Sequence, residues 1–137
     1  MVQGERPGPA LAEKARALRA RTDVHYNCAQ SVLATFAPEI GLTEEEAFRL
    51  GGPFGAGMHR GCVCGAVTGG LMVLGLMGIP QAKATALMTE FQQEHGTLDC
   101  AQLLLKVQRG EIEKSALCDG LVRQVVCYVE QAAKEKD

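Results

Sequence analysis

Apolar residues recur along this chain at helical spacing, and nowhere do they alternate for long enough to make a strand. Leu11, Ala15 and Leu18 form one face of a stretch opened by Pro9, with Lys14, Arg16, Arg19 and Arg21 outside it. This predicts a helix to about Arg21 with a solvated basic face. Asn27 caps a second helix over 28–37, in which Ala29, Val32, Leu33 and Phe36 share a face, and Pro38 and Gly41 end it. Thr43 and Glu46 make a capping box for a short third helix to about Leu50. Residues 51–61 are too rich in glycine for a helix and read as a loop. A charge-free apolar helix follows from about Cys62 or Cys64 to Met77, and Pro80 starts another that runs to about His95, with Ala84, Leu87, Met88 and Phe91 inward. Thr97 or Asp99 caps a helix over 100–108, and a last helix from Asp119 to Lys134 turns Val122, Val125, Val126 and Val129 inward. The pattern is that of one all-α domain over 1–137, a bundle of about six to seven helices around the central 62–77 helix. Residues 1–8 are expected to be flexible.

At 137 residues and 47% hydrophobic content, such a domain buries a core without disulfide staples, so its six cysteines are not needed to hold a small fold. The N-terminus carries Gly, Pro and charge where a secretory signal would be apolar, which points to a reducing cytoplasm. A net charge of −2, without a basic patch, argues against nucleic acid as a partner. The run from Gly61 to Ala82 is long enough to span a bilayer. Its cysteines, its glycines and its amphipathic neighbours instead suit a buried helix, with Gly65, Gly69, Gly70, Gly75 and Gly78 admitting close helix neighbours. So much apolar, small-residue surface also predicts a homodimer, and no membrane association.

The cysteines change the picture most. Asn27-Cys28-Ala29-Gln30 and Asp99-Cys100-Ala101-Gln102 repeat one pattern, a capping residue followed by a cysteine in the first turn of a helix. Cys64, in the glycine frame Gly61-Cys62-Val63-Cys64-Gly65, has the same setting, and Cys118 lies just before the helix expected at Asp119. Unpaired N–H groups and the positive end of the helix dipole favour thiolate there. Four such thiolates brought together need a metal or cluster to neutralise them, or cycle as dithiol and disulfide. Taken as structural thiols they would simply pack as small hydrophobes. Cys127, nine residues from Cys118, falls on the opposite face of the last helix and reads as a bystander. Cys62 and His59 are candidate extra ligands, Cys62 also a candidate resolving thiol, and His25 lies three residues before Cys28.

The segment Cys64-Gly65-Ala66-Val67-Thr68-Gly69, with Cys28 upstream and Cys100 and Cys118 downstream, resembles the C-GCAxxG-C-C family of redox-active proteins over about 26–133. The resemblance implies an all-helical domain, related to one found beside split-Soret haem proteins, with these four cysteines as its hallmark. Cys-x-x-Cys-His is missing, so covalent haem is not expected. Cys62 and Cys127 depart from the four-cysteine pattern. The leading expectation is a cytoplasmic redox protein, working with a redox partner, in which Cys28, Cys64, Cys100 and Cys118 bind an iron–sulfur cluster for electron transfer. The alternatives are a metal-free thiol–disulfide protein with Cys64 as the redox-active residue, and a non-catalytic helical module with structural zinc or buried thiols.

Overall fold

The computed structural model describes residues 9–135, and the expected flexible start at 1–8 lies outside them. The chain folds as α1 (Pro9–Ala20), α2 (Cys28–Thr35), α3 (Ala37–Ile40), α4 (Glu44–Gly51), α5 (Gly65–Leu76), α6 (Gln81–His95), α7 (Cys100–Leu103), α8 (Leu105–Gln108) and α9 (Lys114–Lys134). No strand occurs among the described residues, and the all-α expectation holds. Among the same residues no helix is long and apolar enough to cross a membrane.

Both capping boxes form. Asn27 Oδ1 accepts from the Gln30 N–H while Gln30 Oε1 accepts from the Asn27 N–H, each at 2.7 Å, and Thr43 and Glu46 exchange the same pair. The Asn27 amide also donates to the Gly51 and Gly52 carbonyls, and Gln30 Nε2 donates to the Phe48 carbonyl at 2.8 Å. The start of α2 is thereby tied to the end of α4. The valine stripe of α9 (Val122, Val125, Val126 and Val129) is fully buried with Val32, Leu33 and Phe36 of α2 and Val67, Val73 and Leu74 of α5.

Helix α5 sits inside, against α2, α6 and α9, and its glycines decide how closely. A Cβ at Gly69 would stand 3.0 Å from the Ala29 carbonyl oxygen, one at Gly65 2.9 Å from that of Phe54, and one at Gly70 2.6 Å from Val125 Cγ1. Close packing therefore holds at these three glycines and not at Gly75, which faces open space. Gly78 instead ends the helix at φ +73°, with the Ile79 N–H closing onto the Leu74 carbonyl. Leu76 is the large apolar residue of α5 left exposed, so most of its apolar surface is covered within one chain.

Several boundaries differ from the sequence reading. The central helix takes the later of its two expected starts, with Cys64 as its cap and Gly65 its first residue, because Cys62 and Val63 run extended beside the segment before α7. The 51–61 stretch is not plain loop: Gly52–Phe54 makes a 3-10 turn, and Ala56, Gly57, Met58 and His59 follow at φ +52° to +62°, one left-handed turn. Residues 37–40 form a separate helix, with Pro38 in its first turn where a missing N–H costs nothing. The 100–108 helix breaks at Leu104 into α7 and α8. The last helix starts at Lys114, five residues before Asp119, so Cys118 lies in its second turn.

Replacing Gly69 with Val should lower stability by about 1–3 kcal/mol through overpacking against α2. Gly75→Ala, with room for the methyl, should raise it by roughly 0.5–1 kcal/mol. Urea unfolding followed by circular dichroism measures both, and equal effects at the two sites would contradict the packing.

Candidate thiol site

Cys28, Cys64, Cys100 and Cys118, the four cysteines expected to converge, all line one cavity of about 520 Å³. Cys28 enters as the first residue of α2, Cys64 from the capping position of α5, Cys100 as the first residue of α7, and Cys118 from the second turn of α9. Gly65 lets the first two meet: a Cβ there would be 3.3 Å from Cys28 Cβ. Two backbone bonds deliver the third, from the Cys64 N–H to the Leu98 carbonyl (2.8 Å) and from the Cys100 N–H to the Cys62 carbonyl (2.6 Å), on either side of an isolated antiparallel bridge between Val63 and Asp99. All six cysteines are free thiols. Cys62 is exposed and does not line the cavity, and Cys127 does not line it either, as its place on α9 predicted. His59 and His25 stand at its edge, both exposed. The His59 Nε2 hydrogen-bonds the Gly52 carbonyl oxygen at 3.0 Å.

Arg19 is the residue that the sequence reading misplaced. Expected on the solvated face of α1, it has a side chain only 10% exposed: Nε donates to Asp119 and a terminal nitrogen to the Tyr26 carbonyl, each at 2.8 Å. The signal was present, because Arg19 follows the buried Ala15 by four residues and so shares its face of α1. Its guanidinium acts on both Cys28 and Cys118, and exposed Lys114, also on the cavity wall, acts on Cys100 and Cys118.

The expectation that helix starts would make thiolates is overturned at three positions. Burial pushes Cys64 up to about 11, although the Ala66 and Val67 N–H groups donate to its sulfur. Burial likewise raises Cys100, with the charge of Cys118 adding to it. Cys28 is raised chiefly because its thiol donates a hydrogen bond to Cys118 and because it is buried. Cys118, which is not at a helix start, is the one lowered, to about 7, first by the hydrogen bond from Cys28 and then by Arg19 and Lys114. The pair shares one proton, and Cys28 keeps it.

As placed, the thiols do not make a single-ion site: among the described residues no three His, Cys, Asp or Glu side chains form a group able to hold a metal ion. A zinc site formed by these side chains is therefore not what the arrangement fits.

Residues 26–132 match the model of the family described as "Putative redox-active protein (C_GCAxxG_C_C)", and the chain belongs to that family. No match is found among curated proteins or among solved structures.

Alkylation of Cys118 by iodoacetamide should accelerate as pH rises through about 7, since the thiolate reacts, whereas Cys64 should respond only toward about 11. Arg19→Gln should move the Cys118 midpoint upward by removing the cation that favours its thiolate. Peptide mass spectrometry across a pH series reads both. An unchanged midpoint in the variant would remove Arg19 from the site.

Proposed function

We propose that this family member is a thiol–disulfide redox protein whose working couple is Cys28 and Cys118, with Cys118 as the attacking thiolate. The observation that carries this is the meeting of Cys28 and Cys118 in one cavity, open to a small disulfide, beside the buried Arg19 whose charge acts on both. The Cys118 thiolate attacks one sulfur of a substrate disulfide. The substrate S–S bond breaks, a mixed disulfide forms on Cys118, and the first substrate thiolate leaves and takes a proton from water. Cys28 gives up its proton to solvent and attacks the Cys118 sulfur. The Cys28–Cys118 bond then forms and the second substrate thiolate leaves. One disulfide has become two thiols, and the protein dithiol has lost two electrons, which an external dithiol returns. A pKa near the ambient pH suits the attacking thiol, because a lower one would gain thiolate but lose nucleophilicity. This role falls to Cys118 rather than Cys64, whose thiol is held protonated. Six free cysteines and a site that must return to the dithiol suit a reducing cytoplasm.

A second reading is favoured by the sharing of one cavity by Cys28, Cys64, Cys100 and Cys118, and by the two N–H groups on the Cys64 sulfur. An iron–sulfur cluster spreads its four ligands wider than a single ion does, and when bound would supply one-electron transfer. Arg19, Lys114 and the α5 amides would then offset the charge of the ligand sulfurs.

Cys64 separates the two readings. Oxidation with hydroxyethyl disulfide, then alkylation and digestion, should give a linked Cys28–Cys118 peptide that survives Cys64→Ser. Failure to form that link would reject the couple. Anaerobic reconstitution with iron and sulfide should leave the protein colourless. A visible chromophore with bound iron, lost in Cys64→Ser, would establish the cluster instead.

A further inference from the structure

Cys62 is the exposed cysteine that the cavity leaves out, and the backbone fixes where it stands. The bonds from the Cys64 N–H to the Leu98 carbonyl and from the Cys100 N–H to the Cys62 carbonyl flank the Val63–Asp99 bridge. That register sets Cys62 directly opposite Cys100. Residues opposed in an antiparallel pair have Cα atoms about 4.5–5.5 Å apart, inside the roughly 4.4–6.8 Å that a disulfide spans. Cys62 and Cys64, two residues apart on one extended segment, stand at the far end of that span, about 6.6 Å at the usual rise, and Cys64 is buried. Cys100 is half-buried and lines the cavity, whereas Cys62 is open to solvent. One member of the pair therefore borders the cavity and the other is reachable from solvent.

We infer that Cys62 and Cys100 form a second, reversible dithiol–disulfide couple that passes reducing equivalents from an external dithiol at the surface to the Cys28–Cys118 couple in the cavity. The relay rests on the function proposed above; the surface couple itself does not. After turnover, the Cys100 thiolate attacks the Cys118 sulfur of the Cys28–Cys118 disulfide. A Cys100–Cys118 bond forms, and Cys28 leaves as thiolate and is protonated by water. The Cys62 thiolate then attacks the Cys100 sulfur, forming Cys62–Cys100 and releasing Cys118 as thiolate. The external dithiol attacks at the exposed Cys62 sulfur, becomes a disulfide itself, and returns Cys62 and Cys100 to thiols. Two electrons move at each exchange, and no other co-reactant enters. Cys28, Cys118 and Cys100 share the cavity, and the charge of Cys118 is felt at Cys100.

The test uses the full chain and dithiothreitol as the external dithiol. Oxidation by hydroxyethyl disulfide should give a Cys62–Cys100 link in the Cys28→Ser/Cys118→Ser variant, placed on Cys62 rather than Cys64 by peptide fragmentation. In Cys62→Ser, where the exposed site tolerates the change, reduction of the Cys28–Cys118 link by dithiothreitol should slow at least tenfold. Absence of the Cys62–Cys100 link, or its persistence as Cys64–Cys100 in Cys62→Ser, would overturn the couple. An unchanged reduction rate in Cys62→Ser would overturn the relay. Wild-type protein is oxidised and digested in parallel, and both the Cys28–Cys118 and the Cys62–Cys100 peptides are scored there. Absence of the Cys28–Cys118 peptide beside an intact Cys62–Cys100 link would remove the cavity couple, and with it the relay, while leaving the surface couple standing.

Discussion

The contact of α5 with α2 admits no side chain on α5 at Gly65 or Gly69, and the positions of the sulfurs follow from that contact. With the Ala29 carbonyl 3.0 Å and the Val32 Cβ 3.2 Å from where a Gly69 Cβ would be, the two helices touch backbone to side-chain base. Gly65 sits one turn earlier, against Cys28 and the Phe54 carbonyl, so the starts of both helices open onto the same space. The family motif thus has a packing meaning beyond chemistry. Its cysteine supplies the sulfur, its glycines set how near the next helix comes, and Ala66 between them is fully buried.

Electrostatics then sorts thiols that sequence position makes look alike. A helix start typically favours an anion by about 0.3–1 kcal/mol. The rise of Cys64 from 9.0 to about 11 corresponds to roughly 3 kcal/mol against its thiolate, so burial outweighs both the dipole and the two N–H bonds. Cys118 escapes because all three favourable influences meet on it: the neighbouring Cys28 thiol, the buried guanidinium of Arg19, which also acts on Cys28, and the ammonium of Lys114, which also acts on Cys100. The buried Arg19 is itself made tolerable by Asp119, one residue beyond Cys118, and by the Tyr26 carbonyl, two residues before Cys28. A single cation therefore braces both segments that carry the reactive pair.

The main helices, the Asn27 cap, the Thr43–Glu46 capping box, the valine stripe of α9 and the membership of the four-cysteine set were legible because each rests on local spacing. The start of α9 was not. Lys114, Ser115 and Ala116 are exposed and carry no apolar periodicity, so the pattern surfaced only at the valines and placed Cys118 at a helix end it does not occupy. Arg19 was hidden for the opposite reason, since a charged residue on a basic helix reads as solvated unless its i−4 neighbour is weighed. The Cys62–Cys100 register could not be read at all. It depends on a non-local bridge that joins residues 63 and 99, each on an irregular segment with no strand pattern of its own.

The left-handed turn at 56–59 belongs to the same register. Left-handed backbone costs about 1–2 kcal/mol per non-glycine residue, and Ala56, Met58 and His59 all adopt it. It persists because its surroundings hold it. The Cys62 N–H bonds the Gly57 carbonyl at 3.0 Å, and Cys62 backbone atoms lie 2.4 Å from where a Gly57 Cβ would stand. Gly61, at φ +72°, presses on Ala101, the residue after Cys100. Tightening the chain at Gly57 and turning it at Gly61 brings Cys62 into bonding distance of the Cys100 backbone; a relaxed right-handed turn over the same residues would carry the chain elsewhere. The strain is thus spent on the placement of Cys62, a cysteine outside the four of the family pattern, rather than on the four that line the cavity.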